Sequence, residues 1–596
     1  MPLGLSYKRF HAWRLRHIST TVLIPVASIL VGALAGLAAV LLKNLVHLTN
    51  KALLSLEIQT FVGGNALMLV YPMAGIALTI FFVKRILKGH IGHGIPGVLF
   101  SISRHNGKLP LSGTYSSIVA STLTVAFGGS VGLEAPIATT GSAIGSNIGR
   151  LLHLPSKHIK LLLGCGAAGA IAGIFKAPLA GILFVVEVLL FDLTSTTAIP
   201  LLLSTISAST VAYFLMGPDV QFAFQVAESF QLSQIPFYIA LGIFCAWASV
   251  YFLRTTDRVE NWFSRRSKSI YRLLIGGILL GFMIFLFPPL FGEGYGSLAE
   301  LLHGSSDSLF QHSIFQSLAG NEWAVLAMLL ALILLKAVAT ATTIGSGGVG
   351  GTFGPSLILG GLCGYFLATF SNLIGLPPQS AANFALVGMA GVMTGVMHAP
   401  LMATFLIAEI TGGYALMPPL LITVVVSYLF VHPYEKHSIY ARKLAQHGDL
   451  LTHDKDQSAW QLLDMQKLIE TNFTCVRQGD KLRQLVEAIK ESHRNVFPVL
   501  DKEGKFVGVI HLDDVRNIMF QTDEYDIYNV EELMTPISEG DIVRNSDTLI
   551  DVVNKFRVGN RYNLIVIDKD NRYVGFISRA NTFSAYRRFI SETSEE

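Results

Sequence analysis

From residue 21 to residue 432 the chain is a succession of apolar runs, broken by glycine, proline and short polar stretches. The runs fall at about 21–45, 66–84, 113–127, 136–152, 158–174, 178–193, 196–216, 234–254, 271–291, 323–344, 355–375, 383–396, 399–411 and 417–432. They predict helices, and several are shorter than the roughly 20 residues that a perpendicular membrane span needs. Short apolar segments ending in Gly or Pro are expected where backbone lines a buried ion site instead of facing lipid. Beyond 432 the pattern changes. NVFPVLDKEGKFVGVI (495–510) and YNLIVIDKDNRYVGFI (562–577) each set two β-rich runs around a polar turn, with helical patterns over 481–492 and 546–558. This predicts two α/β modules packed together.

Composition supports the division. The 596 residues are 51% hydrophobic and 14% charged, with mean hydropathy +0.52. That is a polytopic membrane composition. More than half of the 44 Lys/Arg and 40 Asp/Glu lie beyond residue 431. A net charge of +4 gives no argument for nucleic acid. The four cysteines, three of them (Cys165, Cys245, Cys363) in apolar runs, form no disulfide framework. Lys8, Arg9, Arg14 and Arg16 precede the first long run, which by the positive-inside tendency makes the N-terminus cytoplasmic. That run is too long for the core of a signal peptide and is read as a membrane helix. The expected domains are an N-terminal segment 1–20, a membrane domain 21–432, a linker 433–464, and modules 465–522 and 523–596.

The strongest candidate residue is Glu134, in FGGSVGLEAPIATTGSAIG (127–145). A charge at bilayer depth costs roughly 3 kcal/mol on insertion scales unless it lines a wet pathway or finds partners. Pro136 suits a first helical turn, which sets Glu134 just before a helix N-terminus. Free N–H groups and the positive dipole end attract anions there, so the carboxylate occupies the place of a mobile anion. The chain also repeats itself. APLAGILFVVEV (177–188) is echoed by APLMATFLIAEI (399–410), and SVGLEAP (130–136) by GVGGTFGP (348–355). Two related halves with a site at their interface are a common transporter plan. Glu187 and Glu409, at equal offsets from their AP pairs, are expected to hydrogen-bond neighbouring helix ends. Lys176 and Asp192 read as interfacial markers.

GHGIP (92–96), GLEAP (132–136) and GGTFGP (350–355), in that order, resemble the signatures of the CLC family of chloride channels and chloride/proton antiporters. The tail is similar to a tandem CBS pair. The resemblance implies a multi-pass protein of the cell membrane, with N- and C-termini cytoplasmic. Two inverted repeats of tilted, broken helices precede a cytoplasmic α/β CBS pair. It implies a homodimer with one anion pathway per subunit. Chloride is held by main-chain N–H groups around His93, Gly94, Ile95, Pro96, Gly132, Gly351, Thr352, Phe353 and Gly354, with Glu134 as the external gate. Tyr440 in HSIYARKL matches the inner tyrosine of the family, and an interfacial anchoring tyrosine is the other reading. His93 stands where many members have serine, and either touches the anion or turns away. Leu133 replaces a basic residue, and Ala135 a glycine.

Val188 occupies the position where the antiporters often carry an internal proton glutamate. A valine carries no proton, which favours a passive, Glu134-gated chloride channel; antiport by another internal proton route stays open. In the tail, the nucleotide-binding pattern of CBS modules falls on His511 and Asp514, and on Ser578 and Asn581, each pair departing from it at one position. An adenine nucleotide or a purely structural pair are both compatible with that. No metal or other cofactor is expected. A magnesium carrier would need acidic clusters in the membrane runs, and these are missing. No nucleophile–base set suggests an enzyme.

Overall fold

A computed structural model describes residues 19–55, 66–88, 94–217, 230–266, 268–445, 460, 463–536, 538–544, 547–559 and 562–594. The chain divides into two compact units, 1–446 and 447–596. Among the described residues, the first unit is built of helices and connecting turns. In chain order its α-helices are α1 (Thr20–Leu54), α2 (Tyr71–Phe81), α3 (Ile95–Arg104), α4 (Ser116–Ala126), α5 (Glu134–Leu151), α6 (Ser156–Phe175), α7 (Pro178–Glu187), α8 (Ser195–Met216), α9 (Ile235–Ser264), α10 (Ser269–Leu286), α11 (Tyr295–Leu302), α12 (Glu322–Ser346), α13 (Phe353–Leu373), α14 (Ala381–Met397), α15 (Pro400–Ile410), α16 (Met417–Val431) and α17 (Ile439–Ala445). Among the described residues, seven helical segments are long and apolar enough to cross a membrane. The unit runs past residue 432 because α17 packs on α3 and α14.

Glycine decides how the helices pack. A Cβ on Gly141 of α5 would lie 2.1 Å from the Gly166 carbonyl of α6, and one on Gly145 would lie 1.9 Å from that of Leu162. The second half repeats the device: Gly360 of α13 faces Gly388 of α14 at 2.2 Å, and Gly364 faces Phe384 at 1.9 Å. Without a hydrophobic driving force inside lipid, such backbone-to-backbone contact is what van der Waals packing of helices requires.

Each half then turns sharply into its AP helix. Lys176 and His398 take left-handed φ values of 56° and 55°, and the proline two residues on opens α7 or α15. The two helices cap each other. Glu187, the last residue of α7, accepts from Leu401 and Met402 N–H (3.1 and 2.7 Å) at the start of α15. Glu409, near the end of α15, accepts from Leu179 and Ala180 N–H (3.0 and 2.9 Å) at the start of α7. The structural role expected for both glutamates is the one observed. Reciprocal capping requires α7 and α15 to run antiparallel, so the repeats meet in opposite sense.

The second unit holds a three-stranded sheet, β2 (Val476–Arg477), β3 (Val496–Leu500) and β4 (Phe506–His511), and a four-stranded sheet ordered β1-β7-β6-β5. Here β1 is Ile469–Glu470, β5 Ile542–Arg544, β6 Asn563–Ile567 and β7 Tyr573–Ser578. Both sheets contain a parallel pair joined through a helix (Leu482–Glu491 or Leu549–Gly559) and an antiparallel hairpin. In the hairpin turns Asp501 accepts from Glu503 and Lys505 N–H, and Asp568 from Asp570 and Arg572 N–H. The modules share a core of Val496, Val509, Ile565, Ile567 and Phe576.

Glu409→Gln keeps one acceptor oxygen and turns an amide donor toward the second N–H. An unpartnered buried donor costs about 1–3 kcal/mol. The thermal midpoint of the purified protein is expected to fall by a similar amount in Glu409→Gln and Glu187→Gln. A wild-type midpoint in either variant would contradict reciprocal capping.

Candidate functional site

The two glycine-rich repeats meet through one backbone bridge. Gly132 N–H donates to the Gly351 carbonyl and Gly351 N–H to that of Gly132, both at 2.8 Å, in antiparallel sense. The bridge sets the first turns of α5 and α13 against each other. Glu134 is the first residue of α5, not the residue before it, and Leu133 takes the cap position. Its side chain is only 1% exposed. The carboxylate crosses to the other repeat and accepts from Gly354 N–H at 3.1 Å, in the first turn of α13. On its other oxygen it accepts from the Tyr295 hydroxyl at 2.6 Å. These donors, with the dipole of α13, offset the cost of burying the charge.

Glycine is needed at both ends of this contact. A Cβ on Gly132 would lie 2.1 Å from Glu134 Oε2, and one on Gly354 would lie 3.1 Å from both carboxylate oxygens. Phe353 is fully buried, its ring 5.7 Å from that of Phe175. Thr352 is buried beside it, and Tyr440 on α17 reaches this point. Its hydroxyl lies against Thr352 and within electrostatic reach of Glu134, with no described atom in hydrogen-bond geometry. Arg442, two residues on, pairs with Asp257 and Glu435 and fixes α17. Helix α3 packs on both α5 and α17; Gly94, at φ 61°, precedes its first turn, which contains Ile95 and Pro96. His93 lies outside the described residues. Val188 is buried at the C-terminal cap of α7.

Sequence reading missed the shell that holds the carboxylate. Glu293 and Tyr295 come from GEGYG (292–296), Glu293 just before α11 and Tyr295 as its first residue. Glu293 Oε1 accepts from Leu133 N–H at 3.1 Å, one residue before Glu134. Lys336 of α12 is fully buried and donates to Ser130 Oγ (2.9 Å) and to the carbonyls of Glu293 (2.9 Å) and Gly292 (3.4 Å). It therefore ties the 128–133 loop to the 292–295 loop, and Thr340 and Thr343 complete the Ser130 backbone. A lysine within an apolar run was a readable signal, because such a charge needs partners or a function.

In the tail, Ser578 and Asn581 are already engaged. Ser578 Oγ accepts from Asn581 N–H at 3.1 Å, and the Asn581 amide donates to Glu470 at 3.5 Å. Glu470 also pairs with Arg494 at 2.9 Å. His511 and Asp514 lie at the start of the short helix Leu512–Val515, Asp514 exposed.

Paired half-repeats, broken helices and a carboxylate between facing helix N-termini define a membrane protein built to handle an anion. Comparison with known proteins specifies the class. The model of the voltage-gated chloride channel family matches residues 74–432, and that of the CBS domain matches 465–520 and 530–587. A putative ClcB-like chloride channel protein of Ralstonia nicotianae is 30% identical over 389 residues, covering 64% of this chain and 86% of the relative. Chloride channel protein CLC-f of Arabidopsis thaliana is 26% identical over 492 residues, 72% of this chain and 61% of the relative. Among solved structures, a slow cyanobacterial Cl−/H+ antiporter superposes with TM-score 0.60 at 23% identity, over 71% of this chain and 97% of that one. A eukaryotic CLC transporter gives 0.60 at 16% identity over 94% and 99%. The chain belongs to the CLC family: it is an anion-transporting membrane protein with a C-terminal CBS pair, and not an enzyme.

Lys336→Met would leave three buried acceptors without their common donor. Breaking such a buried charged network costs about 3 kcal/mol or more. A large drop in thermal midpoint is expected, and an unchanged midpoint would show that Lys336 does not hold the two loops together.

Proposed function

We propose that the protein conducts chloride passively and that Glu134 is its gate. The observation that carries the reading is the bond from Gly354 N–H to the Glu134 carboxylate. The ionised side chain sits on the N–H group and helix dipole that would otherwise attract a chloride ion. Carboxylate and chloride thus compete for one site. Protonation removes the charge, weakens the hold of Gly354 and Tyr295, and lets the side chain leave to an arriving anion. Main-chain N–H groups bind an anion without trapping it as a buried arginine would. On this reading Gly94, Ile95, Pro96, Gly132, Gly351, Thr352, Phe353 and Gly354 frame the pathway with His93, and the Tyr440 hydroxyl faces the anion from within. The basic N-terminal segment supports cytoplasmic termini, and the working form is a homodimer.

Val188 supports passive conduction. Coupled exchange needs protons to reach Glu134 from the cytoplasmic side; valine cannot pass one, and the carboxylate of adjacent Glu187 is engaged as a helix cap. The hydrogen bonds of Ser578 and Asn581 support a structural role for the CBS pair. Millimolar ATP or AMP is therefore expected to leave the thermal midpoint of the full chain unchanged; stabilisation by several degrees would overturn that role.

The test is a liposome with a chloride gradient, no initial proton gradient and a clamped voltage. Chloride flux without uphill proton movement is expected. Flux rises as pH falls, because the protonated gate is the open one, and Glu134→Gln removes that dependence. Tyr295→Phe takes one strong donor from the closed gate. A hydrogen bond to a charged group contributes about 1.5–3 kcal/mol, so flux at neutral pH is expected to rise roughly tenfold or more. Uphill proton movement abolished by Glu134→Gln would instead establish a chloride/proton antiporter.

A further inference from the structure

Glu134 has a second carboxylate beside it that gating alone does not require. Glu293 accepts from the N–H of Leu133, so the two acids lie on the same helix start. The loop that carries Glu293 also supplies Tyr295, the hydroxyl donor to Glu134. Glu293 therefore belongs to the frame of the gate.

Next to this frame is a cavity of about 510 Å³. It is lined by Leu133, Glu293 and Tyr295, but Glu134 does not reach its wall. Lys43, His47 and Asn50 line it from the C-terminal part of α1, and Glu300 and His312 from α11 and the segment after it. The Asn50 amide oxygen is buried and has no hydrogen-bond partner among the described residues. The cavity wall is more apolar than polar, but Lys43, His47, Asn50, Glu293 and Glu300 offer water inside it the several hydrogen-bond partners that a buried water needs. Glu293 is half-buried, with one face on the gate and one on the cavity. A proton passing between cavity water and the buried Glu134 crosses the layer formed by Glu293 and Tyr295.

The charges around Glu293 suit a group that changes protonation. Lys43 faces it from α1, Lys336 from α12 and Glu134 from α5. Lys336 holds the Glu293 carbonyl and so fixes the loop. Glu293 is tied to Leu133, the residue before Glu134, and the same stretch of chain reaches the Glu134 carboxylate through the Tyr295 hydroxyl.

We propose that Glu293 is the proton-relay residue of the gate, passing protons between the water-filled cavity and Glu134; this rests on Glu134 being the gate. In the opening direction, cavity hydronium protonates the Glu293 carboxylate. The Glu293 O–H bond then breaks as an O–H bond forms on Glu134, directly or through the Tyr295 hydroxyl, which gives one proton and receives another. Glu293 returns to carboxylate and is reprotonated from the cavity. Closing runs the same steps backwards. No oxidant, reductant or other co-reactant takes part.

The experiment is chloride current through the full-length protein in a planar bilayer, with the pH of each side set separately. Wild type, Glu293→Gln, Glu293→Asp and Glu134→Gln are compared. Gln keeps an oxygen for the Leu133 N–H, so the cap survives and only the exchangeable proton is lost. The expected result is that, after a pH step on the cavity side, the current of Glu293→Gln relaxes roughly tenfold or more slower than that of wild type. Glu293→Asp restores the wild-type rate, Glu134→Gln removes the response to pH, and pH on the cavity side governs in wild type. If Glu134→Gln removes the response while Glu293→Gln relaxes at the wild-type rate, the relay is overturned and the gate stands. If Glu134→Gln leaves the response unchanged, the gate reading fails, and the relay with it. If Glu293→Gln does not fold, wild type alone decides: a fast response to a pH step on the cavity side alone supports the relay, and an equal response from either side overturns it.

Discussion

The membrane unit depends on one contact: a carboxylate from the first turn of one helix accepting from the backbone of the first turn of another. The Gly132–Gly351 bridge sets α5 and α13 start to start, and Glu134 fills the space between them. Two positive helix ends facing each other with nothing between them would repel. A negative charge there is a structural requirement as well as a functional one. On the proposed reading it is met by a side chain while the pathway is closed and by a mobile anion when it is open.

The repeat that creates this meeting also stabilises it at a second place. The mutual capping of α7 and α15 by Glu187 and Glu409 uses the same physics, carboxylates on helix N-termini, with no mobile ion to compete. The difference lies in the surroundings. Glu187 and Glu409 each occupy two N–H groups of one helix start. Glu134 holds one N–H and one hydroxyl and has a second acid beside it. Equal residue types thus give two helix caps in one pair and, on the proposed reading, an exchangeable ligand in the other.

Much of this was readable from the chain. The alternation of apolar runs with Gly and Pro gave the helices, because a bilayer leaves few other ways to satisfy backbone groups. The AP…E echo gave the repeat, and the glycines around Glu134 marked a close backbone approach, observed at Gly132 and Gly354. The supporting shell was not readable. Glu293 and Tyr295 lie some 160 positions from Glu134 in the chain, and Lys336 some 200 from Ser130. No local pattern records such long-range closure. Glu134 itself was expected one position too early, since Pro136 tolerates any place in the first turn. The tail divides similarly: its paired hairpins follow from alternation, whereas the joining of modules by Glu470 through Arg494 and Asn581 depends on tertiary packing.

The central claim is that the Glu134 carboxylate and a transported anion share one site. The most direct measurement is an experimental structure of Glu134→Gln in bromide, with the anion located by its anomalous scattering. The account predicts bromide within hydrogen-bonding reach of Gly354 N–H and the Tyr295 hydroxyl, with the glutamine side chain displaced. Glutamine remaining between the two helix ends under saturating bromide, and no anion there, would contradict it.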